Sequence, residues 1–155
     1  MLTIESVFSK KNVNKALDHL GTKKNGAGID KMPLSELQEY WTENSTRIIE
    51  SVKDGSYEPG LLLEYEIING RGKRRTVIRQ NTIDRFLVRL LTQKLNSFFN
   101  PTFLENSYAY QDGKGILAAV EKARDYIVGG DDYVVEIDIS NFFDEICLEK
   151  LISLD

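Results

Sequence analysis

One segment of this 155-residue chain is suited to the interior of a β-sheet, and the chain offers it few partners. Residues 133–139, Tyr133-Val-Val-Glu-Ile-Asp-Ile139, are rich in branched apolar side chains, which suit a pleated surface. Alternation puts Tyr133, Val135, Ile137 and Ile139 on one face and Val134, Glu136 and Asp138 on the other. A strand also needs neighbours for its N–H and C=O groups. The other strand signals are residues 61–68 and 74–79, which flank Asn69-Gly-Arg-Gly72. Asparagine and glycine tolerate positive φ, so that stretch predicts a hairpin with a basic tip. Two readings follow. Either the fold is small and mostly helical, or the chain stops before the rest of its sheet.

The remaining periodicity is helical. Val7, Val13, Leu17 and Leu20 predict a helix over the first twenty residues, stopped at Gly21. Residues 23–30 are polar and glycine-rich and read as a loop. Pro33 suits a first helical turn, and Leu37, Trp41, Ile48, Ile49 and Val52 predict a helix over 35–52. Asn81 or Thr82 can cap a helix over 83–98 with a Leu87, Leu90, Leu91, Leu95 face. Residues 108–115 read as an aromatic and glycine loop. A helix to Val128 follows, its alanines suited to close packing. Residues 141–154 predict an amphipathic helix. The fold class is therefore α+β, mostly helical with a basic β-hairpin.

Hydrophobic residues at 41% and charged residues at 28% describe an ordinary soluble domain. No apolar run approaches the ~18 residues of a membrane span, and no secretory leader is visible. The single cysteine, Cys147, fits a reducing, cytoplasmic setting and reads as core packing on a helix. Net charge is −4, but residues 64–94 hold eight bases against three acids, a local +5. Such a band can grip phosphates on an acidic body.

Asp138 ends the apolar strand signal and Asp144 follows six residues later. A buried carboxylate needs a partner or a metal. A solvated edge strand explains Asp138 equally well, and Asn141 with Asp144 can be a plain helix start. Gly130-Asp-Asp-Tyr133 lies too close to Asp138 to fold back as a partner strand and reads as a polar turn.

Asp138-Ile-Ser-Asn-Phe-Phe-Asp144 with Ile146 resembles motif A of reverse transcriptases, particularly the bacterial group II intron type. Upstream blocks follow the family's order. Ser107-Tyr-Ala-Tyr-Gln-Asp-Gly-Lys-Gly115 is similar to its Ser-Tyr-Gly-Phe-Arg-Pro-Gly block. Gly72-Lys-Arg-Arg75 and Asp84-Arg85 are similar to its basic fingers strand and Asp-Arg helix start. Asn25-Gly-Ala-Gly-Ile-Asp30 and Gly55-Ser-Tyr-Glu-Pro59 resemble its N-terminal blocks. Departures mark a divergent lineage. The family's Arg-Pro-Leu-Gly-Ile-Pro is here Arg75-Thr-Val-Ile-Arg-Gln80, and its later Arg-Pro is Gln111-Asp112.

The resemblance implies fingers over residues 1–130 and the start of a palm over 131–155, cut before its second half. It implies an RNA-directed DNA polymerase acting on an RNA template, a DNA primer and deoxynucleoside triphosphates with Mg²⁺. Asp138 and the Ile139 carbonyl would be metal ligands, Asp138 also the catalytic carboxylate. Arg71, Lys73 and Arg75 would hold the triphosphate and Phe143 would lie under the sugar. Arg74, Arg79 and Arg85 would contact nucleic acid. The Tyr-x-Asp-Asp of the second metal-binding hairpin is absent from the sequence, so this chain alone is expected to be inactive. Self-association through the unfinished sheet edge is expected too. The alternative is a non-catalytic nucleic-acid-binding or protein-interaction module of a defence or retroelement complex.

Overall fold

The computed structural model describes residues 2–22, 26–68, 70, 72–111, 113–140 and 142–153, without the side chains of Phe143 and Asp144. Asn69, Arg71, Asp112 and Asn141 thus lie outside the described residues, as does the Phe143 ring.

The N-terminal helix signal is met by two helices, α1 (Ile4–Val7) and α2 (Lys10–Gly21). Thr3 and Ser6 form a reciprocal capping box on α1. A 3₁₀ turn over Leu34–Glu36 opens α3 (Leu37–Asp54), which ends at Gly55 with φ +78°. Only glycine adopts that conformation at no steric cost. The hairpin forms as expected, with β1 (Leu63–Ile68) antiparallel to β2 (Arg74–Arg79) and Tyr65 opposite Val77. Helix α4 (Thr82–Phe99) runs into a 3₁₀ turn at Asn100–Thr102.

The core is a three-helix packing. Val13, Ala16 and Leu20 of α2 meet Leu37, Trp41 and Ile48 of α3 and Phe86 and Leu90 of α4. Trp41 stacks on Phe8 at 6.1 Å and meets Phe86 edge-on at 4.9 Å. A buried polar pair fastens α2 to α4. Asn12 Nδ2 donates to the Leu90 carbonyl at 3.0 Å, and Gln93 Nε2 donates to Asn12 Oδ1 at 3.0 Å. In the Leu63 to Arg79 ribbon, Leu63, Tyr65, Val77 and Arg79 share the half-buried face.

The C-terminal third departs from the sequence expectations. Helix α5 (Ile116–Val128) forms, but none of its residues is fully buried: Ala118 and Ala119 are half-buried and Ala123 is exposed. Residues 133–139 form no strand. Val134 is 88% exposed and Ile137 87% exposed, and no backbone hydrogen bond among the described residues involves 133–139. An extended apolar segment without a neighbouring strand cannot form a ladder. The final helix divides into α6 (Phe142–Glu145) and α7 (Leu148–Ile152). Cys147 caps α7 and is exposed, which corrects its reading as a core residue. The fold is α+β, and no helix among the described residues is long and apolar enough to cross a membrane.

Candidate nucleic-acid interface

The start of α4 gathers segments that lie far apart in sequence. Asp84, 5% exposed, accepts from the Tyr57 hydroxyl at 2.6 Å and from the Gly60 N–H at 3.1 Å. Burial, the Asp84 hydrogen bond and its charge push the Tyr57 phenol well above its ordinary range. The loop at residues 26–32 is fastened to the same place. Thr82 Oγ1 donates to the Met32 carbonyl at 2.7 Å, and the Asp30 N–H donates to Asn81 Oδ1 at 3.3 Å. Asn81 occupies the N-cap position of α4, but its side chain serves the loop and makes no cap bond. A Cβ on Gly28 would stand 2.7 Å from the Asn81 Cα, so glycine allows the close approach.

Two arginines complete this junction. Arg85 Nη2 donates to the Gly26 carbonyl at 3.1 Å and to Thr82 Oγ1 at 3.0 Å. Arg79 donates to the Ala27 carbonyl at 3.4 Å and to the Tyr65 hydroxyl, its guanidinium 4.7 Å from the centre of that ring. Burial and the Arg79 charge lower the Arg85 pKa, against the opposing effect of Asp30. Both arginines thus hold the protein's own carbonyls. They also line a cleft of ≈420 Å³ with Leu62, Val77 and Gln80.

The hairpin carries the more exposed cations. Lys73, Arg74 and Arg75 are all exposed. Arg74 sits on the outer face and pairs with Glu66 at 3.1 Å. Arg75 sits on the opposite face with Val77 and Arg79, opposite Ile67, and its side chain makes no hydrogen bond or ion pair among the described residues. Arg75 and Arg79 therefore share a face, and Arg74 does not.

Asp138 lies apart from this junction, in the exposed 133–139 segment beside exposed Ile139. Among the described residues no three carboxylate, imidazole or thiol groups are close enough to hold a metal ion. One carboxylate on an unpaired segment does not make a Mg²⁺ site, which needs several oxygen ligands.

Local spacing could not reveal the Tyr57–Asp84 contact, which spans 27 residues, or the Asn12–Gln93 contact, which spans 81. The signal at Asn12, Asp84 and Gln93 was an isolated polar residue on an apolar helix face, and Tyr57, which lies beyond the end of α3, gave none. No family model matches the chain, and no curated protein matches it.

Proposed function

We propose that the chain is the fingers, residues 1–130, and the beginning of the palm, residues 131–155, of an RNA-directed DNA polymerase resembling the group II intron reverse transcriptases. One observation supports this reading most. Four of the blocks that carry the resemblance, at residues 26–30 (Asn25 lies outside the described residues), 55–59, 72–75 and 84–85, come from separate parts of the sequence. Three of them, with the last residue of β2, meet around the first turn of α4. The fourth is carried on β2, which leads directly into that turn.

In this reading the hairpin is the triphosphate side of the site. Arg75, with Lys73 and Arg71 beside it, presents cations to phosphate oxygens, and guanidinium suits paired phosphate oxygens geometrically. Arg74, Arg79 and Arg85 extend the positive surface toward template and primer, and Phe143 abuts the sugar. Asp138 and the Ile139 carbonyl would be two of the ligands of a Mg²⁺ ion, which would supply charge stabilisation for nucleotidyl transfer. The other carboxylates must come from residues that this sequence does not carry.

The test is primer extension on an RNA template, with this chain and with the same residues continued into a complete palm. The complete protein is expected to extend the primer and its Asp138→Asn variant to lose activity. The 155-residue chain is expected to extend nothing. Extension by the short chain, or full activity of the asparagine variant, overturns the reading. The exposed basic strand also fits a non-catalytic nucleic-acid-binding module. That reading requires salt-sensitive binding with no extension even by the continued protein.

A further inference from the structure

Among the described residues, two unpaired backbone edges are opposite in charge. The first is an edge of the hairpin. The sheet has two strands, so β2 pairs with β1 on one side only. No other backbone hydrogen bond among the described residues reaches 74–78. The second is the segment at 132–139, whose backbone is likewise unpaired. Its side chains stand in solvent, with Tyr133 94% and Val135 81% exposed.

Both have the chemistry of neighbouring strands. β2 spans six residues of β-prone sequence, and the segment is of similar length. β2 carries Arg74, Arg75 and Arg79, whereas the segment carries Asp132, Glu136 and Asp138. The side chains of Arg74 and Arg79 have partners inside their own chain, and that of Arg75 has no ion pair or hydrogen bond among the described residues. A register with Glu136 and Asp138 on the face of Arg75 puts Val135 and Ile137 on the outer face. Ile68 and Ile78 are exposed there, at 68% and 60%. One register thus satisfies charge and apolar contact together.

We propose that residues 132–139 of one copy add as a third strand to the β2 edge of a second copy, and that the exchange is reciprocal. Added strands gain main-chain hydrogen bonds along their length, and side chains set the partner. Reciprocal exchange uses both unpaired surfaces of both copies and closes a two-fold dimer, where one-way addition would leave an open end and grow. Opposite charge across the contact makes the dimer sensitive to salt. The dimer forms whether or not the polymerase reading holds.

Sedimentation velocity over a concentration series tests this. The chain is expected to dimerise, and more weakly at ~0.5 M than at ~0.05 M salt, where screening differs severalfold. Val135→Pro removes one N–H from an exposed, unpaired position. It is expected to weaken the dimer at least about tenfold with unchanged helix content. The decisive experiment is a charge exchange. Asp132→Lys with Glu136→Lys makes one variant, and Arg74→Glu with Arg75→Glu makes another. Each alone is expected to be monomeric, and an equal mixture is expected to form a mixed dimer, because both contacts are then complementary again. Sedimentation is measured without template, primer or nucleotide, so its outcome is separate from primer extension. A wild-type chain that stays monomeric at high concentration overturns the proposal. So does a proline variant that associates like wild type, or assemblies that grow without limit. If the double arginine-to-glutamate variant loses its hairpin by circular dichroism, the proline variant and the double lysine variant of the 132–139 segment decide alone.

Discussion

Asp84 shows how far a residue's role can lie from its local pattern. In the sequence it opens a helix beside Arg85, and an acid in the first turn of a helix needs no further reason. In the fold it is a buried hub for Tyr57 and Gly60. Arg79 and Arg85 likewise read as phosphate contacts, yet each donates to a loop carbonyl 52 or 59 residues away. Such partners are set by tertiary packing and leave no trace in local spacing. The Tyr57 contact has a pH signature. The folded-state pKa of Tyr57 lies above the ordinary tyrosine value of 10, so above that pH the folded state binds more protons than the unfolded state. The stability that Tyr57 contributes is therefore fully present below about pH 10 and is lost as pH rises beyond it. Urea unfolding between about pH 9 and pH 11 is expected to show a steeper loss for wild type than for Tyr57→Phe. At neutral pH the phenylalanine variant is expected to lose about 1.5–3 kcal/mol, the range for a hydrogen bond to a charged group. Parallel pH profiles would show that the fold does not raise the Tyr57 pKa.

The elements divide by whether their signal was local. The hairpin strand at Arg74–Arg79 follows from β-prone residues and turn chemistry, and it forms at the residues expected. Helices α3 and α4 follow from long apolar periodicity, with ends shifted by one or two residues. The single N-terminal helix divides at Phe8 and Ser9, and Asn12 bridges the break. Its Nδ2 donates to the Val7 carbonyl at 2.7 Å and to the Leu90 carbonyl at 3.0 Å. Those two hydrogen bonds link α1, α2 and α4 and were invisible in a polar residue on an otherwise ordinary face. Asn12 is 6% exposed and Gln93 8% exposed; losing Gln93 leaves Asn12 Oδ1 without its donor, and losing the Asn12 side chain takes one of two acceptors from Gln93 Nε2. Asn12→Ala is expected to cost about 1–3 kcal/mol in urea unfolding. The pair Asn12→Ala and Gln93→Leu is expected to cost less than the sum of the singles, with a coupling of about 0.5–3 kcal/mol. Strict additivity would show that the two side chains act independently.

At the scale of the molecule, the sequence carried the fold class and the order of elements, but not the division of labour between them. Every core residue lies between Val13 and Leu90. After Thr102, Gln111 is the one residue among those described that is buried. The apolar residues of 116–139 therefore stand ready for contacts that the N-terminal body does not supply, and periodicity alone cannot report which surface answers them. Amides of α2 and α4 are accordingly expected to exchange slowly with deuterium. Those of 133–139 are expected to exchange near the unprotected rate in dilute, monomeric solution, since no backbone hydrogen bond holds them. Removing the last 53 residues tests the same division thermodynamically. The slope of a urea transition scales with the surface newly exposed on unfolding. Residues already in solvent add little to it. A chain ending at Thr102 is therefore expected to unfold cooperatively, with a slope close to that of the whole chain. Its stability is expected to change by no more than about 0.5 kcal/mol, the scale of changes at exposed positions. A large fall in slope or loss of the cooperative transition would mean that the C-terminal third helps to hold the core.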